Sequence, residues 1–370
     1  MDEFKKALDA NSVDTMLILI TNLMNQQERY RLKLTEKELI DLSIITAQNF
    51  QQDRRLADTL MWMYSCLLSK EVFLSVGTQE QVVFWAHELH HKTKTESSAL
   101  EFGWVIYNFI QRGDFSKQRY NLIFSLNVDG EFWQTVLHGQ IGLSSFLIST
   151  KLLCCFLRHD GYKSSYISVN NMNRLIEQFS QRVPFNELVE EAHALERTCL
   201  MGLIKQWLSS SHALDAHFHI VVQRLAGFVK IIECTQTFTE LQAAFELISM
   251  MINGYHEENE LQLQLTRNMV LFRALLARFD QTNSQPPTAT IIAGLTCLEN
   301  LLNLGGMMGY QANGTIDMEY YGGEQMRDQR DNPFKEECLK VAEFDYLENL
   351  QHSKVPEVAK LAQQIVSNYF

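Results

Sequence analysis

Two short constellations carry residue types that could do chemistry. The first is His87-Glu88-Leu89-His90-His91, which satisfies H-E-x-x-H. On a helix, His87 and His91 share a face and can offer ring nitrogens to one metal ion, with Glu88 as general base: the chemistry of a zinc hydrolase. The surroundings of such a site do not follow. Glu96 and Glu101 are the nearest third-ligand candidates and fall too close behind, no H-x-x-G-x-x-H continuation follows, and no edge-strand pattern precedes. His87, Glu88 and His91 therefore read as a histidine-rich helix end whose cations suit the C-terminal dipole, with no metal and no cofactor expected. The second constellation is Trp104 and Asn108, four residues apart and hence on one helix face. An indole face attracts the stem and head of a lysine or arginine, and a carboxamide pairs with both the N–H and the C=O of a peptide backbone. Asp114 follows in a Gly-containing turn as an acid for the cationic head. Trp62 offers a second platform, although Cys66 four residues on cannot replace the amide. His212, His217 and His219 cluster without cysteines or carboxylates at ligand spacing, and no P-loop, G-x-G-x-x-G or G-x-S-x-G is present, so the chain reads as non-catalytic.

The elements that must position these residues have helical period almost throughout. Ser12 can cap a run from Val13, and Thr35 with Glu38 forms a capping-box pattern before Leu39, Leu42 and Ile45. Amphipathic stretches follow at 53–69, 78–91, 96–112, 128–140, 142–158, 166–180, 185–209, 213–233, 237–253, 257–280, 287–304, 334–350 and 355–369. Residues 305–333 are rich in Gly, Asn and Asp and lack period, which predicts a mobile loop before the last helices. Helices that end near a turn can be overlaid on Trp62, Trp104, Leu152, Leu200 and Phe245. Their spacings of 42, 48, 48 and 45 match the period of armadillo or HEAT arrays, in which each unit buries its open face on the next.

Composition narrows the partners. The 370 residues carry 32 Lys+Arg against 44 Asp+Glu, a net charge of −12, which disfavours non-specific nucleic-acid binding and favours basic partners. The seven cysteines include no C-x-x-C pair and sit in apolar helical runs, as expected of reduced thiols. The polar N-terminus lacks a signal-peptide core, and no apolar run reaches membrane-spanning length, so no membrane association is expected.

Several segments together are more specific than the period. EFGWVIYNFIQRGD at 101–114 resembles the third helix of importin-α (karyopherin-α) armadillo repeats, with W-x-x-x-N and a Gly-containing turn. KLLCCFLRHDG at 151–161 looks like a repeat that keeps the turn at Asp160-Gly161, and AFELISMMINGYHEE looks like a later one with Phe245 and Ser249 at the paired positions. Gly294-Leu295 with Leu298-Glu299-Asn300-Leu301-Leu302 resembles the family's penultimate repeat. Asn332-Pro333-Phe334, then Asp345 to Gln351, then Tyr369-Phe370, resembles its last, with His352 one residue early.

The resemblance implies an all-α, right-handed superhelical solenoid of about seven to eight armadillo repeats over 1–370. It implies an adaptor that holds Lys/Arg-rich, nuclear-localisation-type peptide segments in a concave groove, in the nucleus and cytoplasm. Trp62, Trp104, Asn108, Asp114 and Asp160 are its expected peptide contacts, with Phe245 and Ser249 as later-repeat counterparts. An export receptor is implied at the C-terminal repeats. The family's basic N-terminal arm has no counterpart before Thr15, so importin-β is not expected to bind in the family's way. The alternatives are an armadillo interaction scaffold that has left transport and, more remotely, the zinc hydrolase.

Overall fold

The computed structural model describes residues 6–7, 9–10, 12–29, 53–69, 74–93, 95–112, 116–138, 142–159, 162–183, 191–211, 213–254, 274, 278, 286–312, 332–339 and 344–370. Among the described residues every regular element is a helix and none is a strand. The chain forms two compact units, Met1–Tyr166 and Ile167–Phe370.

The first unit contains α1 (Val13–Arg29), α2 (Arg54–Leu67), α3 (Val76–Thr93), α4 (Glu96–Gln111), α5 (Ser116–Ser125), α6 (Asp129–His138) and α7 (Leu143–Leu157). Side chains start these helices where the sequence provides caps. Asp53 accepts from the N–H groups of Arg55 and Leu56 at the head of α2. Thr95 and Ser98 form a reciprocal capping box on α4, each side chain holding the other's backbone N–H. Here α2 packs on α4, and α4 packs on α7. Gly103 lets that second pair close up, because a Cβ at 103 would stand 2.8 Å from the Ile148 Cγ2 methyl. Leu60, Tyr64, Phe102, Phe109, Leu152 and Phe156 fill the space between these helices.

The second unit contains α8 (Val169–Gln181), α9 (Glu191–Leu208), α10 (Asp215–Val222), α11 (Leu225–Cys234), α12 (Phe238–Gly254), α13 (Thr288–Ala312), α14 (Pro333–Cys338), α15 (Phe344–Leu350) and α16 (Pro356–Tyr369). Its long helices also stack in series, α9 on α12, α12 on α13 and α13 on α16. In both units, residues 41 to 44 apart are hydrogen-bonded across successive long helices, as at Asn108 with the Ser65 carbonyl, Gln111 with Cys155, Lys205 with Glu246 and Arg197 with Glu240.

The helical character agrees with the sequence reading, and four boundaries differ. Residues 305–312, expected to open a loop, continue α13. Gly305 serves packing there: a Cβ would meet Asn332 Oδ1 at 2.3 Å and the Phe334 ring at 2.6 Å. The rest of that predicted loop up to 331 lies outside the described residues. The stretch 213–233 is two helices parted by a turn at Gln223-Arg224, and 334–350 is α14 and α15. Helix α5 has no counterpart in the sequence reading. Its period is broken by a buried arginine, Arg119, which donates to the Phe109 carbonyl at 2.6 Å and to Gln79 Oε1 at 3.0 Å. The stretch at 35–45, and 257–280 apart from Ala274 and Arg278, lie outside the described residues.

Candidate functional site

One face of α4 carries the side chains the sequence reading singled out. Trp104 is 38% exposed, although it is a large apolar residue in the middle of a packed helix. Tyr107 lies edge-on to it, ring centroids 5.7 Å apart at 88°. The two rings make a slot, and the ammonium of Lys151 on α7 stands over it, 4.2 Å from the Tyr107 centroid and 5.7 Å from that of Trp104. Both distances are within the range of cation–π attraction. Four residues beyond Trp104, Asn108 is half-buried and donates from Nδ2 to the Ser65 carbonyl of α2 at 2.9 Å. A carboxamide has a second N–H and a carbonyl oxygen beyond that bond. Arg112 likewise donates to the Ser69 carbonyl.

Acid lies beside this face. Glu101 Oε2 accepts from the Ser65 hydroxyl at 3.2 Å. Burial pushes the Glu101 carboxyl above its usual range and Asp58 adds to the rise, while the bond from Ser65 opposes it. Trp62 is half-buried on α2, with Cys66 one turn on. Asp114 and Asp160, the two turn acids expected to receive cationic heads, lie outside the described residues.

The expected later-repeat positions are corrected. Phe245 is 2% exposed and Ser249 is buried as well, so neither lines an accessible face. Gln242, Glu246 and Met250 are among the partly exposed residues of α12. Overlaying α12 on the other helices by the turn that follows it puts Phe245 and Ser249, which belong to its core stripe, where the accessible stripe is expected. Polar side chains on the accessible stripe of α12 bond one another and α9. Glu246 accepts from Lys205 Nζ at 2.5 Å and from Gln242 Nε2 at 2.8 Å. Burial pushes the Glu246 carboxyl up, but these two bonds and the Lys205 charge outweigh it and leave the group below its usual range.

The H-E-x-x-H helix end is α3. His87 Nε2 and His91 Nε2 face each other at 2.9 Å, so one ring donates to the other. Glu131 of α6 meets the same helix end, with its carboxylate 3.0 Å from His90 Nε2 and 3.5 Å from His91 Nδ1. His90 stacks on Phe102 with centroids 4.8 Å apart and approaches Ser98 Oγ at 3.4 Å. Burial, then the adjacent His91, holds His87 below the usual histidine range. Burial raises the Glu131 carboxyl, but the bond from His90 and the three imidazole charges outweigh it and leave it lowered. Glu88 is exposed. Among the described residues, no group of three or more His, Cys, Asp or Glu side chains is placed to hold a metal ion. His217 is buried beneath Trp207, with ring centroids 5.3 Å apart.

Sequence reasoning missed Tyr107, Lys151, Glu131 and Glu246. Tyr107 lies one turn from Trp104 and was visible as a neighbour on that face. Lys151 follows Tyr107 by 44 residues, the same interval that joins Gln111 to Cys155, so a repeat register set by the polar side chains would have found it. None of the seven cysteines is in a disulfide. No helix among the described residues is long and apolar enough to cross a membrane. No protein-family model matches the chain, and no curated protein matches it.

Proposed function

We propose that the protein is a divergent, importin-α-like armadillo adaptor that binds Lys/Arg-rich segments of other proteins, linked to nuclear protein import. The observation that carries this reading is the slot of Trp104 and Tyr107, which already has an ammonium over both rings. A surface that attracts one cation attracts another of the same chemistry. The serial stacking of long helices and the 41 to 44 residue interval between their joined residues support an armadillo array. Asn108 retains an N–H and a carbonyl for the backbone of an extended segment, and Glu101 supplies negative charge nearby. The chain's net charge of −12 favours a basic partner over a nucleic acid.

The bond from Asn108 to Ser65 favours a second reading, in which the face is a scaffold for a protein outside transport. Half of the amide's donor capacity is then structural. Fluorescence anisotropy of a labelled Lys/Arg-rich peptide separates the two. Binding at micromolar or tighter affinity, weakened by salt and lost in Trp104→Ala/Asn108→Ala, supports the adaptor. No binding at low salt, with helical circular dichroism intact, overturns it in favour of the scaffold.

A further inference from the structure

The slot on α4 is not vacant in the folded chain, because its own lysine fills it. Lys151 takes the position that a lysine of a bound segment would need, over the faces of Tyr107 and Trp104. Its helix is fixed on both sides of that residue. One turn before it, Ile148 packs directly on the bare backbone of Gly103. One turn after it, Cys155 Sγ accepts from Gln111 Nε2 at 3.9 Å. Backbone placement of α7 therefore delivers the ammonium to the rings of α4, with only the lysine's own rotamers left to order.

We propose that Lys151 is the built-in occupant of the Trp104–Tyr107 slot and a specificity-determining residue, which any basic segment must displace. The proposal rests on the reading of this face as a site for basic segments. A tethered competitor loses no translational freedom when it binds, so it acts at high effective concentration. It also repels an incoming cation for as long as it stays. A segment that succeeds is one whose neighbouring residues contribute enough elsewhere, through Asn108 and the adjacent acid, to offset the exchange. The slot thus selects extended segments with several basic residues over single lysines.

The test uses the full chain with Lys151→Met, which keeps an unbranched stem at a solvent-exposed position and removes the charge, and Lys151→Ala as a second variant. Peptide affinity is expected to tighten by about two- to fivefold in both, the size of one exposed cation–π contact. The gain is expected to be larger at low salt, where charge repulsion is least screened. Affinity that is unchanged or weaker in both variants, with the wild type still binding through Trp104, overturns the proposal and leaves the adaptor reading standing. A second readout needs no peptide. In protein labelled at the lysine ε-carbons, one ε-methylene signal is expected to be shifted upfield by the rings, absent in Lys151→Met and reduced in Tyr107→Ala. No such signal overturns the proposal whatever the peptide does. The signal present, with no peptide bound by wild type or either variant, overturns the adaptor reading and with it the competition.

Discussion

The long helices of the two units join in different chemical ways. In the first unit, side chains of α4 donate to backbone carbonyls of α2, from Asn108 to Ser65 and from Arg112 to Ser69. There too the Ser65 hydroxyl bonds Glu101, but among these joints only the second unit carries ion pairs from one long helix to the next. Lys205 of α9 pairs with Glu246 of α12 near the surface, and Arg197 pairs with Glu240 in the core, at 1% and 0% side-chain exposure. The Arg197 guanidinium also donates to the Arg182 carbonyl, and Glu240 accepts from Thr235, so both buried charges have hydrogen-bond partners besides each other. The same stacking thus yields two kinds of face. Where the joints end on backbone, Trp104 and Tyr107 stand at the surface; on α9 and α12, Lys205 and Glu246 bond each other there.

Breaking the buried pair is the strongest way to separate the two units. Glu240→Ala leaves Arg197 charged and unpaired in the core, and such losses cost about 3–5 kcal/mol. Urea unfolding followed at Trp207, the one tryptophan of Ile167–Phe370, is expected to show that drop. A loss below about 1 kcal/mol would mean that the pair is wetter than its burial indicates. The matching change in the first unit is Gly103→Val, which drives a branched side chain into Ile148. Overpacking of this kind costs about 1–3 kcal/mol, and the displaced α7 is expected to take the Lys151 ammonium off the rings. Thr95→Ala removes half of the capping box on α4 and is expected to cost about 1 kcal/mol, with peptide affinity changed little.

The smallest effect is a pH dependence confined to the first unit, at the join of α3 and α6. His87 has a lowered pKa in the folded chain, so the unfolded chain takes up its proton first and stability falls as pH drops below about 6.5. Glu131 is also lowered, so its contribution is present above the unfolded carboxyl value and is lost only as pH falls through the lower folded value. The groups facing His87 are His90, His91 and Glu88 on its own helix and Glu131 from α6. His87→Gln is expected to flatten the fall between about pH 7 and pH 5.5 while keeping the fall at lower pH that belongs to Glu131. A fall that is unchanged in His87→Gln would place the early titration elsewhere.

Much of this architecture was legible in the sequence, and the failures share a cause. Helical period gave the elements wherever apolar residues face a core, as at Leu56, Leu60 and Tyr64 on α2. It lost α5, where buried Arg119 stands in an apolar position, and it ran past the turn at Gln223-Arg224, which has neither Gly nor Pro. The spacing of Trp104 and Asn108 put both on one face, as the structure has them. Their partners did not follow from spacing, because the bond to Ser65 and the cation from Lys151 are made with other helices. Phe245 shows the opposite failure: an overlay set by the turn after each helix does not fix which stripe is buried, and on α12 the accessible positions lie one step around at Gln242 and Glu246.

The acceptors on α2 carry a consequence for how such a chain can change over time. Every amino acid brings a backbone carbonyl, so substitutions at 65 and 69 keep the acceptors that Asn108 and Arg112 use. For these two bonds the accepting half is therefore invisible to mutation, although a change at Ser65 also removes the hydroxyl that Glu101 accepts from. At Arg197 and Glu240, a change on one side strands the other, and the two positions must move together. The two joints from α4 to the carbonyls of α2 can therefore tolerate single substitutions on the α2 side, whereas the Arg197–Glu240 joint can change only in compensated pairs.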